Sequence, residues 1–332
     1  MTSRRDVVVL ESFPQPQPTT NPYVVMLLQA LQSTDGLTAL TFSWRRALTA
    51  RYDVFHVHWP ELLVSQGTPL KRLARCLLFL LLVARLTLRR VPVVQTLHNL
   101  RPHEGADRVT RAMMRLLERR VTVLVSINRL DPPLQALPVH RVLHGDYRDW
   151  YASHPVPDPE PGRLGFFGLI RPYKGVEDLL DAFEKTSADV RLTVGGRPQH
   201  DDLETRLRDA AATDPRLTLV LGHLSDAELV DRIGRSTLVV LPYRTALNSG
   251  VALAALSLAR PVLMPANDAT RALADEVGQD WVRLYEGELT AEVLAGELDR
   301  AGRLTGTPDL SERRWSDSGP AHLAAFREAI SR

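Results

Sequence analysis

Only one of the 332 residues is a cysteine, Cys76, which excludes an intramolecular disulfide framework and a multi-cysteine zinc site. A lone thiol inside an apolar run packs as a small hydrophobe, and this cysteine usage suits a reducing compartment. A surplus of one charge is also missing. The 41 Lys and Arg nearly cancel the 39 Asp and Glu, leaving a formal net charge of +2, which gives no general attraction to a polyanion and excludes a dedicated nucleic-acid binder. Long apolar runs are absent too: the longest, Cys76 to Ala84, spans nine residues, under half of the roughly 20 that a spanning helix needs. Near the start only Val7 to Leu10 is apolar before Glu11, too short for the core of a signal peptide, so secretion is not expected.

What is present is a globular composition, 44% hydrophobic and 24% charged, on a chain too long for one ordinary core, so two domains are expected. Short β-rich runs alternate with amphipathic stretches. Strands are expected at Val7 to Leu10, Leu37 to Phe42, Val54 to His58, Val91 to Leu97, Val121 to Ile127 and Val139 to Leu143. Between the fourth and fifth, Val109, Met113, Leu116 and Leu117 follow helical spacing while Arg108, Arg111, Arg115 and Arg119 take other faces, the pattern of a helix covering a sheet. The segment between Tyr151 and Arg163 carries four prolines and reads as an extended spacer. Beyond it the alternation resumes, with strands at Leu164 to Phe167, Val190 to Val194, Leu217 to Leu221, Leu238 to Leu241 and Pro261 to Met264. The fold class is therefore α/β, two Rossmann-like domains: residues 1–151, a linker 152–162, a second domain 163–317 and a C-terminal helix 318–332 packing back toward the first. Open parallel sheets hold ligands at the carboxyl ends of their strands, so the two domains are expected to face each other across a cleft.

Immediately after the strand Leu164 to Phe167 stand Gly168, Arg171 and Lys174. A glycine lets backbone approach an anion, a guanidinium forks two phosphate oxygens, an ammonium adds a point charge and a helix start adds its dipole. A solvated loop with incidental basic residues is the bland alternative. After Leu238 to Leu241 come Tyr243, Arg244, Asn248, Ser249 and Gly250, opening a helix of small residues. Asn248 or Ser249 is a natural N-cap, and two such helix starts in one domain suit a diphosphate.

On these residues the second domain resembles the donor domain of the GT-B glycosyltransferases of the family-4-like group. Gly168, Arg171 and Lys174 match the glycine, arginine and lysine with which that group clasps the sugar-nucleotide diphosphate, and Gly250 to Pro261 is similar to its helix and following strand. The group's Glu-x7-Glu motif falls on Ala246 and Ala254, so neither carboxylate is present. Tyr243, Arg244, Asn248, Ser249 and Gly250 instead resemble a subset of bacterial enzymes that assemble lipid-linked polysaccharides, the mannosyltransferase type among them. The resemblance implies transfer of a sugar from a nucleotide-diphosphate donor, such as GDP-mannose, to a glycan, lipid-linked glycan or other hydroxyl acceptor. The chain lacks the Asp-x-Asp triplet that holds a divalent ion in the other main glycosyltransferase fold, so neither a metal nor another cofactor is expected; Arg171 and Lys174 would carry the charge of the leaving diphosphate.

In the first domain, polar and aromatic residues crowd two strand ends: His56, His58, Trp59 and Glu61 after the third, and His98, Asn99, Arg101, His103 and Glu104 after the fourth. His56 and His58 share a strand face, which suits a buried structural pair, or a zinc site completed by Glu61, His98 or His103. Sugar and acceptor recognition by His58, Trp59, His98, Asn99 and His103 is the preferred reading, since His98 resembles the histidine that family-4-like enzymes place after the fourth strand, near the transferred sugar. Glu61 and Glu104 are the candidate bases of an inverting transfer, and each suits a structural ion pair equally. Asn21 reads as an N-cap with Pro22 behind it, and His144 to Tyr147 as a turn closing the domain.

Lys71, Arg72, Arg75, Arg85, Arg89 and Arg90 flank an apolar helix centre. Such a segment suits either a membrane interface, where a lipid-linked acceptor would be met, or a buried sheet cover. The expected setting is cytoplasmic, peripheral on the inner face of the plasma membrane. Two other function classes stand beside the enzyme: a catalytically silent GT-B module that binds nucleotide or glycan for a partner, and a metallohydrolase built on His56 and His58.

Overall fold

The computed structural model describes residues 5–98, 107–130, 137–244 and 248–332. The chain divides into two compact units, Met1–Gly145 with Glu312–Arg332, and Asp146–Ser311. The first unit runs β1 (Val7–Glu11), α1 (Pro22–Gln32), β2 (Leu37–Leu40), α2 (Trp44–Thr49), β3 (Val54–Val57), α3 (Leu62–Ser65), α4 (Pro69–Leu88), β4 (Val93–Leu97), α5 (Arg108–Glu118), β5 (Val121–Ser126) and β6 (Val139–Arg141). The second runs α6 (Arg148–Tyr151), β7 (Arg163–Phe167), a 3-10 turn (Pro172–Lys174), α7 (Val176–Phe183), β8 (Arg191–Gly196), α8 (Asp201–Thr213), β9 (Leu217–Leu221), α9 (Asp226–Arg235), β10 (Leu238–Val240), α10 (Gly250–Ser257), β11 (Val262–Pro265), α11 (Asp268–Val277), β12 (Val282–Tyr285) and α12 (Ala291–Gly302). The chain then rejoins the first unit as α13 (Trp315–Ser331).

Each unit holds a six-stranded sheet, in the orders β2-β1-β3-β4-β5-β6 and β12-β11-β10-β7-β8-β9, with parallel pairing at every junction. Runs rich in Val and Leu form such strands because both faces are covered by helices and must be apolar. In the first unit Val54 joins Val9, Val94 and Val123 against Leu27 and Leu31 of α1 and Phe326 of α13. On the opposite face Phe55 and Val57 meet Phe79, Leu82 and Leu86 of α4 and Leu117 of α5. The strand order reverses between β1 and β3 in the first sheet and between β7 and β10 in the second. Connections leave a parallel sheet in opposite directions at such a reversal, opening a crevice at the strands' carboxyl ends.

Local signals account for the helix starts. Asn21 accepts the Tyr23 amide at 3.0 Å with Pro22 at the first helical position, the cap expected from the sequence. Ser225 and Glu228 form a capping box on α9.

The division between units falls at Gly145/Asp146, not inside the proline-rich segment. Residues 152–162 are bound into the second unit: Arg260 donates to the Pro157 carbonyl at 2.7 Å and Thr237 to the Glu160 carbonyl at 2.6 Å. Proline prevented regular structure there, but the extended backbone found partners in folded neighbours. The last helix begins at Trp315 rather than 318.

Candidate active site

In the second unit the crevice between β7 and β10 gathers two loops. Gly168 directly follows β7. A Cβ placed on it would lie 3.0 Å from a methyl of Val251, in the first turn of α10, and 3.5 Å from Lys174 Nζ. Lys174 therefore turns back toward the strand end, with its ammonium 5.1 Å from the centre of the Tyr243 ring. Gly175 follows with φ 64°, and a side chain there would overlap the Pro242 carbonyl oxygen, so only glycine lets the turn pack against the loop after β10. The two loops are stitched further: the Arg244 amide donates to the Tyr173 carbonyl at 2.8 Å, and the Arg244 guanidinium takes both oxygens of Asp178, at 2.6 and 3.0 Å. Ser249 caps α10 by accepting the Ala252 amide at 3.1 Å.

The electrostatics of this loop pair are unbalanced. The first-turn carboxylates of α7 are already engaged, Glu177 by Arg206 at 2.9 Å and Asp178 by Arg244. Among the described residues no carboxylate pairs with Arg171 or Lys174. Burial and the neighbouring Arg171 together lower the Lys174 pKa to about 8. Two neighbouring cations, with the acidic residues beside them taken, leave this crevice with uncompensated positive charge, the electrostatic requirement of an anion site.

In the first unit the crevice between β1 and β3 holds a hydrogen-bonded row of side chains. Glu11 ends β1 in register with His56. Its carboxylate, fully buried, lies 3.0 Å from His56 Nδ1 and 3.1 Å from His58 Nε2. His56 Nε2 is 2.8 Å from Thr96 Oγ1 on β4, and His58 Nδ1 is 3.0 Å from His98 Nε2. Burial lowers the His56 pKa to about 3; burial, with His56 nearby, lowers that of His58 to about 4. Burial pushes Glu11 up while its hydrogen bond from His58 pulls it down. His98 is half-buried, stacked on Trp59 with centroids 3.9 Å apart and met edge-on by Tyr23 at 5.3 Å.

Glu11, His56 and His58 offer ligand atoms within 4.8 Å of one another, so the cluster has the donor types of a metal site. Among the described residues the third member is Glu11, not Glu61 or His98 as the sequence suggested, and His103 lies outside them. A carboxylate closing an apolar strand at the sheet's reversal is the signal that marks it. The distances are those of ordinary hydrogen bonds: Glu11 faces one ring nitrogen of each histidine, and Thr96 and His98 face the other two.

The structure brings Gly168, Lys174, Tyr243, Ser249 and Gly250 together around the β7 and β10 strand ends. It also brings His58, Trp59 and His98 together at the ends of β3 and β4. Tyr243 is buried and serves as the wall on which Lys174 rests. Glu61 precedes α3, its carbonyl accepting from Ser65 at 2.9 Å. Asn99, Arg101, His103, Glu104 and Ala246 lie outside the described residues. His144 is buried, held by Arg313 donating to its carbonyl at 3.0 Å, and Tyr147 belongs to the second unit, its amide donating to Ser257 at 2.8 Å. Cys76 packs against the α4 side of the first core.

Comparison with known proteins agrees with this geometry. Residues 161–295 match the family model described as glycosyl transferases group 1. Over 330 residues the chain is 42% identical to a protein of Xanthomonas campestris pv. campestris named GDP-mannose:glycolipid 4-beta-D-mannosyltransferase, covering 98% of this chain and 93% of the relative. Among solved structures, Anabaena HepE in complex with UDP and glucose superposes with a TM-score of 0.62 at 14% identity, over 98% of this chain and 97% of that one. The catalytic domain of starch synthase IV from Arabidopsis thaliana gives 0.62 at 12% identity, over 99% and 100%.

Proposed function

Because this chain belongs to the group 1 glycosyltransferases of GT-B fold, we propose that it transfers mannose from GDP-mannose to the hydroxyl of a lipid-linked glycan, without a metal ion. The observation that carries this reading is the pair of neighbouring cations, Arg171 and Lys174, with Lys174 turned back toward Gly168 and the nearby carboxylates engaged elsewhere. In such a transfer negative charge gathers on the departing diphosphate as the anomeric carbon becomes cationic, so fixed positive charge at the β-phosphate lowers the barrier selectively. The full-length identity to a named mannosyltransferase favours an enzyme over a silent binding module. A thermal-shift panel of GDP, UDP, ADP and dTDP with their common sugars tests the donor. GDP and GDP-mannose are expected to raise Tm most; a panel in which another nucleotide leads would overturn the guanine assignment.

The acceptor's lipid anchor fits α4. Among the described residues no helix is long and apolar enough to cross a membrane. Yet α4 buries Phe79, Leu82, Val83 and Leu86 while Leu73, Leu77, Leu81 and Leu88 stand exposed on its other side, Leu88 by 83%. The helix thus covers the sheet with one side and carries an apolar ridge on the other. Lys71, Arg89 and Arg90 stand exposed at the ends of α4, and Arg111 and Arg115 are exposed on α5, which packs beside it. Apolar insertion bordered by Lys and Arg is the design of a peripheral contact with an anionic leaflet, so the enzyme works on the cytoplasmic face of the plasma membrane. Flotation with phosphatidylglycerol vesicles should enrich the wild type and lose the Leu73→Glu/Leu77→Glu/Leu81→Glu variant to the pellet fractions. Equal recovery of both proteins would remove the ridge from the contact.

A further inference from the structure

Resting on the reading of the second unit as a nucleotide-diphosphate site, and deepening it, we propose that Tyr243 is a positioning residue for the diphosphate. The face of its ring, in place of a carboxylate, holds the Lys174 ammonium at the end of β7.

A lysine side chain loses much rotamer freedom when it is fixed, so something must compensate where it is held partly away from water. A carboxylate is the usual partner. Among the described residues none pairs with Lys174, because the acids in the first turn of α7 are held by Arg206 and Arg244. Burial and the neighbouring Arg171 both act against the ammonium's charge. What favours it is Tyr243, whose ring centre lies 5.1 Å from Nζ, within the distance at which the negative face of an aromatic ring attracts a cation. The ring is itself fixed by the chain on both sides of it. The Tyr243 amide donates to the Leu241 carbonyl at 2.8 Å. The Pro242 carbonyl packs where any side chain at position 175 would overlap it, and Arg244 is bound to Tyr173 and Asp178. With Tyr243 only 3% exposed, Lys174 rests on a rigid surface.

The hydroxyl of Tyr243 has no comparable task. It is buried beside Ser249 and makes no hydrogen bond, while the Ser249 oxygen accepts the Ala252 amide at 3.1 Å. A hydroxyl left unpaired in the interior costs stability, so it is the ring that accounts for a tyrosine here. A ring also suits the chemistry better than a carboxylate. An acid beside Lys174 would cancel the charge that the diphosphate needs and would repel the arriving anion. A π face orients the ammonium and leaves its charge free for phosphate oxygens, and charge fixed in advance is what stabilises a departing diphosphate.

The test compares wild type, Tyr243→Leu, Tyr243→Phe, Lys174→Ala and the Tyr243→Leu/Lys174→Ala double variant by titration calorimetry with GDP and GMP. In Tyr243→Leu, GDP affinity should fall roughly tenfold, since a lysine without the ring must be immobilised on binding and has lost the attraction of the π face. GMP affinity should stay near wild type, which also reports a folded second unit. Tyr243→Phe retains the ring face and should restore the preference for GDP, with a Tm no lower than that of the wild type. In the Lys174→Ala background, Tyr243→Leu should cause no further loss of GDP affinity, because the group it positions is gone. Tyr243→Met carries the same expectation as Tyr243→Leu should the latter fold poorly. Leu and Met variants that keep the wild-type preference for GDP, a Phe variant that loses as much as Leu, or equal losses with and without Lys174 would each overturn the proposal. A wild type that shows no preference for GDP over GMP would instead overturn the diphosphate reading beneath it.

Discussion

Replacing Arg171 and Lys174 together by alanine should lower kcat/KM by roughly 10³-fold or more, since removing one preorganised charge-stabilising donor typically costs 10²- to 10³-fold, while the fold persists. The fold should survive because neither side chain is part of a core. Both are half-buried, and the turn that carries them is held by backbone bonds, the Lys174 amide to the Arg171 carbonyl at 2.9 Å and the Arg244 amide to Tyr173 at 2.8 Å. Lys174 should also impose a pH limit. Its pKa, lowered to about 8 by burial and Arg171, means the ammonium is present below that value and is lost as pH rises through it. A bound diphosphate favours the charged form, so nucleotide binding should raise the pKa and weaken above pH 8. Steady-state kinetics and nucleotide binding between pH 6 and 10 check both effects; an alanine pair with wild-type rates would remove the charge clamp.

The second large effect is expected from a residue that touches no substrate. Gly196 ends β8 with φ 144°, and a Cβ there would overlap the Gly168 carbonyl oxygen. Gly196→Ala would have to push away the backbone from which the cationic turn begins, since the Gly168 amide is tied to the Gly195 carbonyl at 2.9 Å and the Ile170 amide to the Arg197 carbonyl at 2.9 Å. The φ alone costs on the order of 1–3 kcal/mol for a residue with a side chain. A shift of about 1 Å in a charge-positioning loop can cost 10²-fold. The variant should therefore lose both some thermal stability and most of its turnover, whereas Gly222→Ala, also at positive φ but with open space around it, should lose some stability and keep turnover. Melting curves and rates for the two variants check this, and equal activities would show that the Gly168 loop tolerates displacement.

Much of the architecture could be read from apolar periodicity. The strands through β11 fall within a few residues of where the Val and Leu runs placed them, because a parallel strand buried on both faces leaves a continuous apolar signature. The strand order had no such signal. It depends on which helices fit which face, and with it the reversals at β1/β3 and β7/β10 stayed hidden, although they decide where the sites lie. Gly168, Arg171 and Lys174 were legible because a strand, a glycine and two cations follow one another in sequence. Glu11 was not: it looked like the polar end of the first strand. Its partners are 45 and 47 residues away, and the pairing exists only after β1 and β3 are side by side. The proline-rich segment misled for a related reason, since proline forbids regular structure but not attachment.

The central claim is that the second unit seats a diphosphate on Arg171 and Lys174, and titration calorimetry of GDP and GMP into the wild type and the Arg171→Ala/Lys174→Ala variant at pH 7 tests it most directly. GDP should bind the wild type well over tenfold more tightly than GMP, and the variant should bind the two nucleotides about equally. If the variant keeps the wild-type preference for GDP, the diphosphate is held elsewhere and the account is wrong.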